Sequence, residues 1–203
     1  MGRMKELYTM LRKDHGKPAG QWSLWCKRPK TWREKERVII EAILTQRTNW
    51  KNVTTAVGNL DAIGCLGLEK IVKAELPALA ALIKSSGFYR QKAERLKLIA
   101  SFILNDCGGI RHAERIPLAE FREQLLLVKG IGNETADDIL LYAFEKPVFV
   151  IDEYTRRFAT RHRLTEDLSY RDLQRLFEEG VRRDYRLYQD FHALIVIDGK
   201  ERR

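Results

Sequence analysis

Cysteine is scarce in this sequence, which limits the kinds of site that the chain can build. Only three of the 203 residues are cysteines, Cys26, Cys65 and Cys107. Their number is odd and their spacings are wide, which suits neither a disulfide framework nor a zinc site. We interpret them as reduced thiols that fill small buried spaces in a cytoplasmic protein.

Long hydrophobic runs are also missing. No apolar stretch approaches the ~20 residues that are needed to span a bilayer. The opening segment, MGRMKELYTMLRKDHG, has no apolar signal core and carries acidic residues, so we do not expect a secretory signal. The sequence shows no repeat of solenoid period and no low-complexity segment.

Basic residues are in excess over acidic ones. Lys and Arg total 37 and Asp and Glu total 28, which gives a formal net charge of +9. This balance favours a polyanionic partner, either nucleic acid or an acidic membrane surface, although a merely soluble basic protein would also have it. The hydrophobic content of 44% is sufficient for a core, in one large domain or two small ones.

The spacing of apolar residues predicts helices almost throughout. In EKERVIIEAILTQ, for example, Val38, Ile39, Ala42 and Ile43 share one side of a helix, and Gly or Pro marks each break between helices. Only PVFVI, at 147–151, resembles a strand. Because it is short and alone, we expect a buried extended linker, and the predicted fold class is all-α.

The stretch VKGIGNETADDIL places Gly130 and Gly132 between two apolar helical segments. Glycine tolerates positive φ and leaves the backbone bare, so we expect the turn amides to form an anion site beside a helix that Asn133 caps. Ile131 is expected to pack between the two helices. Such a hairpin can hold a DNA phosphate without reading sequence, but an ordinary glycine-containing turn is the alternative.

The longer segment LLLVKGIGNETADDILLYAFEKPVFVIDEYTRRFATR resembles the helix-hairpin-helix DNA glycosylases of the endonuclease III superfamily. AILTQRTNWKNV, SSGFYRQKAERLKLIA and FHALIVIDGK are similar to further segments of that family. The resemblance implies two helical lobes with a DNA-binding cleft between them. We place one lobe at 37–145, ending in the helix-hairpin-helix motif, and the other at 1–36 together with 146–203. The family extrudes one nucleotide and cuts its N-glycosidic bond.

The chain departs from the bifunctional members at Glu134. Those members carry a lysine two residues after the second hairpin glycine, and this lysine forms a Schiff base before the strand is nicked. A carboxylate cannot form an imine, so we expect hydrolysis without lyase activity. Glu134 is expected to line the base pocket, and an ordinary first-turn acid favoured by the helix dipole is the alternative.

A second departure concerns the cofactor. Many relatives end in four cysteines that hold an iron–sulfur cluster, whereas this sequence stops at DGKERR and its cysteines lack cluster spacing. We expect a branch without the cluster, and a chain truncated before such a region is the alternative. A monovalent ion at the hairpin carbonyls is compatible with this expectation. His162 and His192 show no metal-ligand spacing, so no catalytic metal is expected.

Asp152 matches the catalytic aspartate of the family. Breaking a purine N-glycosidic bond builds positive charge on the deoxyribose, and a fixed carboxylate stabilises that charge and activates water. The alternative is that Asp152 merely caps the helix at 153–163, and both roles are compatible.

Three tryptophans, Trp22, Trp25 and Trp32, lie within GQWSLWCKRPKTW. Core packing is their default interpretation, but the segment is otherwise polar and basic. We therefore place Trp22 and Trp25 in the base pocket, where an indole would stack on a flipped base. A cationic alkylated base would add a cation–π attraction on the order of 1–2 kcal/mol and would already be a good leaving group. The chain is similar in this respect to the endonuclease III-like 3-methyladenine glycosylases, which lack both the lysine and the cluster.

Several side chains are predicted to contact DNA. Gln46 occupies the position from which the family fills the gap left by the flipped nucleotide, although a polar surface residue is equally compatible with the pattern. The remaining predicted contacts are Arg90 and Lys92 with backbone phosphates, Lys129, Gly130, Ile131, Gly132 and Thr135 at the hairpin, and some of Arg156, Arg157 and Arg161, for which a solvated basic face is the alternative.

The sequence therefore predicts a monofunctional DNA glycosylase of base excision repair. It would act as a monomer, in the cytoplasm at the nucleoid, on double-stranded DNA that contains a damaged base. The favoured substrate is an alkylated purine such as 3-methyladenine. The alternatives are a glycosylase for an oxidised purine, uracil or mismatched base, and a non-catalytic DNA-binding protein, which would need the hairpin but not Asp152.

Overall fold

Helices make up most of the described chain. A computed structural model describes residues 2–202. Over this range the structure contains no strand, which confirms the all-α fold class. The helices are α1 (Gly2–His15), α2 (Trp22–Trp25), α3 (Trp32–Leu44), α4 (Trp50–Ala62), α5 (Leu68–Lys73), α6 (Leu76–Leu82), α7 (Tyr89–Ser101), α8 (Ile110–Ala113), α9 (Leu118–Leu127), α10 (Asn133–Asp138), α11 (Glu153–Arg161), α12 (Tyr170–Gly180) and α13 (Tyr185–Glu201). None of them, within 2–202, has the length and apolar character that a membrane crossing requires.

Three shorter elements complete the secondary structure. A 3₁₀ turn covers Lys84–Ser86. A π-helical turn, Phe102–Asp106, follows α7, and a second one, Ile139–Ala143, follows α10. Such π turns widen a helix by one residue per turn and redirect the side chains that follow.

The chain forms two compact units. One unit is Pro29–Ile139, and the other combines the residues up to Arg28 with those from Leu140 onward. The boundaries that we predicted from sequence, after residues 36 and 145, lie eight and six residues further along the chain than these.

Helix α3 is the centre of the unit Pro29–Ile139. Thr31 begins it with a capping box, in which the Thr31 hydroxyl accepts from the Glu34 amide and the Glu34 carboxylate accepts from the Thr31 amide. Every residue from Val38 to Leu44 is buried, because α4, α7, α8 and α10 all pack against this helix. The helix is therefore buried on more sides than the single apolar face expected from its sequence.

Helix α13 is the centre of the other unit, where α1 and α11 pack against it. The segment 147–151 has no regular secondary structure, and Val148–Ile151 are buried, which confirms the predicted buried extended linker. Phe149 in this segment stacks on Phe177, with ring centroids 4.6 Å apart. The linker therefore places the residue that follows it, Asp152, directly beside a packed aromatic core.

The cysteines are free thiols. Cys65 and Cys107 are buried and Cys26 is partly exposed. Burial raises the pKa of Cys65 above its usual value and raises the pKa of Cys107 to about 11. Both buried thiols therefore stay protonated at neutral pH, in agreement with the interpretation of cysteine as a small core residue.

Candidate active site and DNA-binding hairpin

Asp152 begins helix α11. Its backbone is extended, and its Oδ1 accepts a hydrogen bond of 2.7 Å from the amide of Thr155. The predicted helix cap is thus confirmed, with the helix ending at Arg161, two residues earlier than expected. An N-terminal cap holds the carboxylate in one orientation and exposes it to the positive end of the helix dipole.

A histidine lies on the other side of the same carboxylate. Oδ2 of Asp152 is 3.5 Å from Nε2 of His192, which is buried on α13. Nδ1 of His192 is 2.7 Å from the hydroxyl of Tyr142, and this hydroxyl also donates to the carbonyl of Gln189 at 3.3 Å. Asp152 therefore forms the partly exposed end of a buried polar chain.

These contacts set the charge of Asp152. Burial by itself would raise the pKa of this carboxyl, but the neighbouring His192 and the Thr155 amide and hydroxyl hold the pKa below its usual value. The side chain is 16% exposed. Asp152 is therefore an ionised, oriented carboxylate that water and a ligand can reach, which is the group needed to stabilise a developing cation.

An aromatic cluster surrounds the histidine. The ring centroid of Trp22 lies 5.9 Å from that of Trp25, 5.7 Å from Tyr142 and 5.9 Å from His192, and Trp25 lies 5.0 Å from Tyr142. Both indoles are buried, and Nε1 of Trp22 has no hydrogen-bond partner among residues 2–202. The structure thus brings Trp22 and Trp25 to the histidine that contacts Asp152, whereas Trp32 is half exposed at the start of α3.

The hairpin between α9 and α10 differs from expectation in two details. Gly130 has φ of +89°, but Gly132 has φ of −99°, so only the first glycine needs the left-handed region. Gly132, not Asn133, is the N-cap of α10, and it forms no side-chain cap. The helix starts one residue earlier than predicted, which leaves Asn133 inside its first turn. Ile131 is buried, as expected.

An arginine clamp fixes the two helices of the hairpin. Arg122 on α9 donates from Nε to Oδ1 of Asp137 at 2.7 Å and from Nη2 to Oδ2 at 3.0 Å, and Nη2 also reaches Oδ1 of Asn133 at 3.0 Å. Asp137 is fully buried. Because the pairing is bidentate, it fixes the crossing of α9 and α10 as well as their distance.

Gln46 contacts the hairpin directly. It lies just beyond the end of α3, and its Nε2 donates to the carbonyl of Gly130 at 3.3 Å and to Oγ1 of Thr135 at 3.0 Å. Arg95 on α7 donates through Nη1 to Oε1 of Gln46. The structure thus unites Gln46, Gly130 and Thr135, which the sequence had assigned separately to DNA contact, and it adds Arg95, which sequence reasoning missed.

Lys92 was wrongly predicted to contact DNA phosphates. It is fully buried, and its Nζ donates to the carbonyls of Leu44 at 2.8 Å and Ser86 at 2.6 Å. Burial, with a smaller contribution from Arg95, lowers the pKa of Lys92 to about 8. Lys92 falls on the same helix face as Leu96 and Ile99, so helical spacing was the signal that would have placed it inside.

The comparisons with known proteins place the chain in a family. Residues 40–183 match the family described as HhH-GPD superfamily base excision DNA repair protein. The chain belongs to this superfamily. It is therefore related to DNA glycosylases of base excision repair, whose substrate is DNA.

Individual relatives agree with this assignment. The chain is 39% identical to a Methanocaldococcus jannaschii protein named as a DNA repair glycosylase. The matched stretch of 162 residues covers 78% of this chain and 74% of the relative. It is 36% identical over 125 residues to endonuclease III of Thermotoga maritima, which covers 62% of this chain and 55% of that enzyme. Among solved structures, it is similar to the 3-methyladenine DNA glycosylase MagIII of H. pylori bound to 1,N6-ethenoadenine, with a TM-score of 0.80, 31% identity, and coverage of 98% of this chain and 96% of that one.

Further residues of this HhH-GPD protein lie on its surface. Arg90, Lys129 and Glu134 are exposed, and Glu134 occupies the first turn of α10. Phe88 is 56% exposed and has φ of +46°, which is unusual for a bulky residue. Phe88 lies in the family-like segment SSGFYRQKAERLKLIA, but the exposure of its ring cannot be recognised from the sequence without the backbone.

The arginines of α11 have partners within the protein. Arg156 donates to the carbonyl of Leu168, Arg157 pairs with Glu153 at 2.8 Å, and Arg161 pairs with the buried Asp198. These contacts describe the protein without DNA, so contact of some of these arginines with DNA stays a prediction.

An iron–sulfur cluster does not fit the cysteines of this chain. Within residues 2–202 no group of three or more His, Cys, Asp or Glu side chains could hold a metal ion. Cys26 belongs to one unit, while Cys65 and Cys107 belong to the other. Cluster ligation by thiolates requires four such groups around one site.

Proposed function

We propose that the protein is a monofunctional DNA glycosylase, which hydrolyses the N-glycosidic bond of a flipped alkylated purine such as 3-methyladenine. It would act as a monomer on damaged duplex DNA in the cytoplasm, without a cofactor. The observation that carries the proposal is the geometry of Asp152, an ionised carboxylate that accepts from the Thr155 amide and lies 3.5 Å from Nε2 of His192.

The proposed chemistry follows from that carboxylate. As the bond from the sugar to the base lengthens, positive charge collects on the deoxyribose ring, and a fixed negative group beside it lowers the barrier. Asp152 would also orient a water molecule for attack on C1′ and accept one of its protons. The departing base keeps the bonding electron pair, which an alkylated purine accommodates well because it is cationic before cleavage.

The likeness to a 3-methyladenine glycosylase supports the substrate class. That enzyme is similar to this chain over nearly the full length of both. The cluster of Trp22, Trp25 and Tyr142 provides aromatic rings beside His192, as recognition of a cationic base would require. Both indoles are buried against neighbouring rings. Stacking on a flipped base would therefore require Trp22 or Trp25 to expose one ring face.

The absence of lyase activity is proposed from Glu134. An imine requires an accessible amine, and the position two residues after Gly132 carries a carboxylate. Lys92 has the lowered pKa that suits a Schiff-base nucleophile, but it is fully buried and donates to two carbonyls. It therefore cannot reach a sugar.

The test is a panel of duplexes: one is methylated immediately before use, so that it carries 3-methyladenine, and the others each carry 1,N6-ethenoadenine, 8-oxoguanine, uracil or a G·T mismatch. A sample without protein corrects for spontaneous depurination. After incubation, heating in alkali reveals abasic sites, and a parallel sample without alkali reveals strand nicking. We expect alkali-dependent cleavage at the alkylated purine only. Borohydride should trap no covalent adduct, whereas an authentic endonuclease III serves as the positive control.

A second candidate is a glycosylase for another lesion, which the similarity to endonuclease III of Thermotoga maritima favours. Preferred release of uracil, the mismatched thymine or 8-oxoguanine would replace the alkylated purine in the proposal. Binding without any base release would instead indicate a non-catalytic DNA-binding protein.

A further inference from the structure

Arg95 is a basic residue beside the hairpin. It lies on α7 and is half buried, and among residues 2–202 it forms a hydrogen bond to Oε1 of Gln46 and no ion pair with a carboxylate. A Cβ built on Gly130 would lie 2.5 to 2.8 Å from Nε, Cγ and Cδ of Arg95. The guanidinium therefore lies against the bare backbone of the hairpin, where its remaining N–H groups are available to an anion.

Both polar atoms of the Gln46 side-chain amide form hydrogen bonds within the protein. Its Nε2 donates to the Gly130 carbonyl and to the Thr135 hydroxyl, and its Oε1 accepts from Arg95. Both N–H groups of this amide are used, so it has no donor left for an unpaired DNA base while it stays in this position. Insertion into DNA thus requires these contacts to break.

We infer that Arg95 binds a DNA backbone phosphate at the hairpin and that this binding releases Gln46 for insertion into the duplex. The inference rests on the proposed function, since it concerns how the same protein engages its DNA. A hydrogen bond to a charged phosphate oxygen is stronger than one to the neutral amide oxygen of Gln46. When DNA arrives, the Arg95 guanidinium therefore leaves Gln46 and donates to the phosphate. Arg95 would contact the phosphate only after it has left Gln46. Because the phosphate binds one arrangement of Arg95 and not the other, it can shift the equilibrium between them.

The binding half of the inference is tested with undamaged duplex DNA. Arg95→Met should weaken binding by about tenfold in low salt and should reduce the slope of log affinity against log salt by about one, because one phosphate contact is lost. Arg111→Met is the matched control. Arg111 is an exposed residue of α8, and Glu114 next to that helix pairs with Lys35 in the first turn of α3. Gln46 follows the opposite end of α3, which is 13 residues or about 20 Å long.

The release half is tested with a duplex that carries a tetrahydrofuran abasic analogue opposite 2-aminopurine. Mixing this DNA with protein in a stopped-flow instrument reports entry of a side chain as a fluorescence change, which Gln46→Ala should abolish. At saturating protein, Arg95→Met should give this change at least as fast as the wild type, because one of the three contacts that hold Gln46 is gone. Melting curves verify that each variant is folded.

The outcomes separate this inference from the proposed function. Equal affinity and salt slope for Arg95→Met and Arg111→Met would overturn phosphate binding by Arg95. Slower insertion in Arg95→Met would overturn the release, since Arg95 would then be supporting Gln46 rather than retaining it. Neither measurement requires base cleavage, so a failure of the lesion panel leaves both readouts intact.

Discussion

Asp152 and His192 face each other across 3.5 Å between Oδ2 and Nε2, although 39 residues of sequence lie between them. This relationship joins the N-terminal cap of α11 to the middle of α13. It means that the candidate catalytic carboxylate is held by a helix cap on one side and by a buried imidazole on the other.

Asp152→Asn should lower single-turnover base release by about 10² to 10³, because it removes the preorganised negative charge opposite the developing cation. The side chain can still accept from the Thr155 amide, so a helix cap remains. Affinity for lesion-containing DNA should stay near that of the wild type, as measured by fluorescence anisotropy. A variant that melts normally and still cleaves within a few-fold of wild type would show that Asp152 is only a cap.

Gly130→Ala and Gly132→Ala should differ, although the sequence presents them as a pair. At Gly130 the φ of +89° and the adjacent Arg95 side chain leave no room for a Cβ. We expect a loss of stability of about 1–3 kcal/mol and weaker binding to any duplex, damaged or not. Gly132 has ordinary φ and open space around its Cβ position, so its variant should fold normally.

Lys92→Met should destabilise the fold by about 2 kcal/mol, since the carbonyls of Leu44 and Ser86 lose their donor. It should leave the salt dependence of DNA binding unchanged. Arg90→Met is the comparison, because Arg90 is exposed on the same helix. This substitution should reduce the slope of log affinity for DNA against log salt. A reduced salt slope in Lys92→Met alone would contradict the buried role.

The stability advantage of the wild type over Lys92→Met should also grow with pH. The pKa of Lys92 falls from its ordinary 10.5 to about 8 on folding. Between these two values the unfolded chain binds more protons than the folded one, so stability rises with pH in that window. Chemical denaturation of both proteins at pH 7.5 and pH 10 measures the difference, and an advantage that shrinks would oppose this assignment.

Asp198→Asn should destabilise the protein by about 2 kcal/mol at pH 7. The buried carboxylate accepts from Arg161 and Arg202 and contacts His15, and these groups outweigh burial and lower its pKa. Because the folded pKa is lowered, this stabilisation is present above the ordinary carboxyl pKa and is lost as pH falls through the folded value. The deficit of the variant should therefore narrow below about pH 4. Asp61→Asn, at an exposed site, should show no comparable deficit.

The sequence by itself determined the features that local order encodes. Apolar spacing predicted the helices, the isolated PVFVI predicted a buried linker, and the run from Gly130 to Asp152 identified the family. Each depends on residues near one another in the chain, where φ preference and helical periodicity act directly. The family then supplied Asp152, Gln46 and the hairpin as candidate site residues.

Only the tertiary structure decided which side chains meet. Lys92 was predicted to bind phosphate, but in the structure it is buried against the end of α3. The N-cap of α10 is Gly132, one residue before the predicted Asn133. His192 with Asp152, and Arg95 with Gln46, are contacts between distant segments. The physical reason is that a charged side chain has the same local propensity whether it ends in solvent or against a carbonyl, and only the packing of neighbouring helices selects between the two.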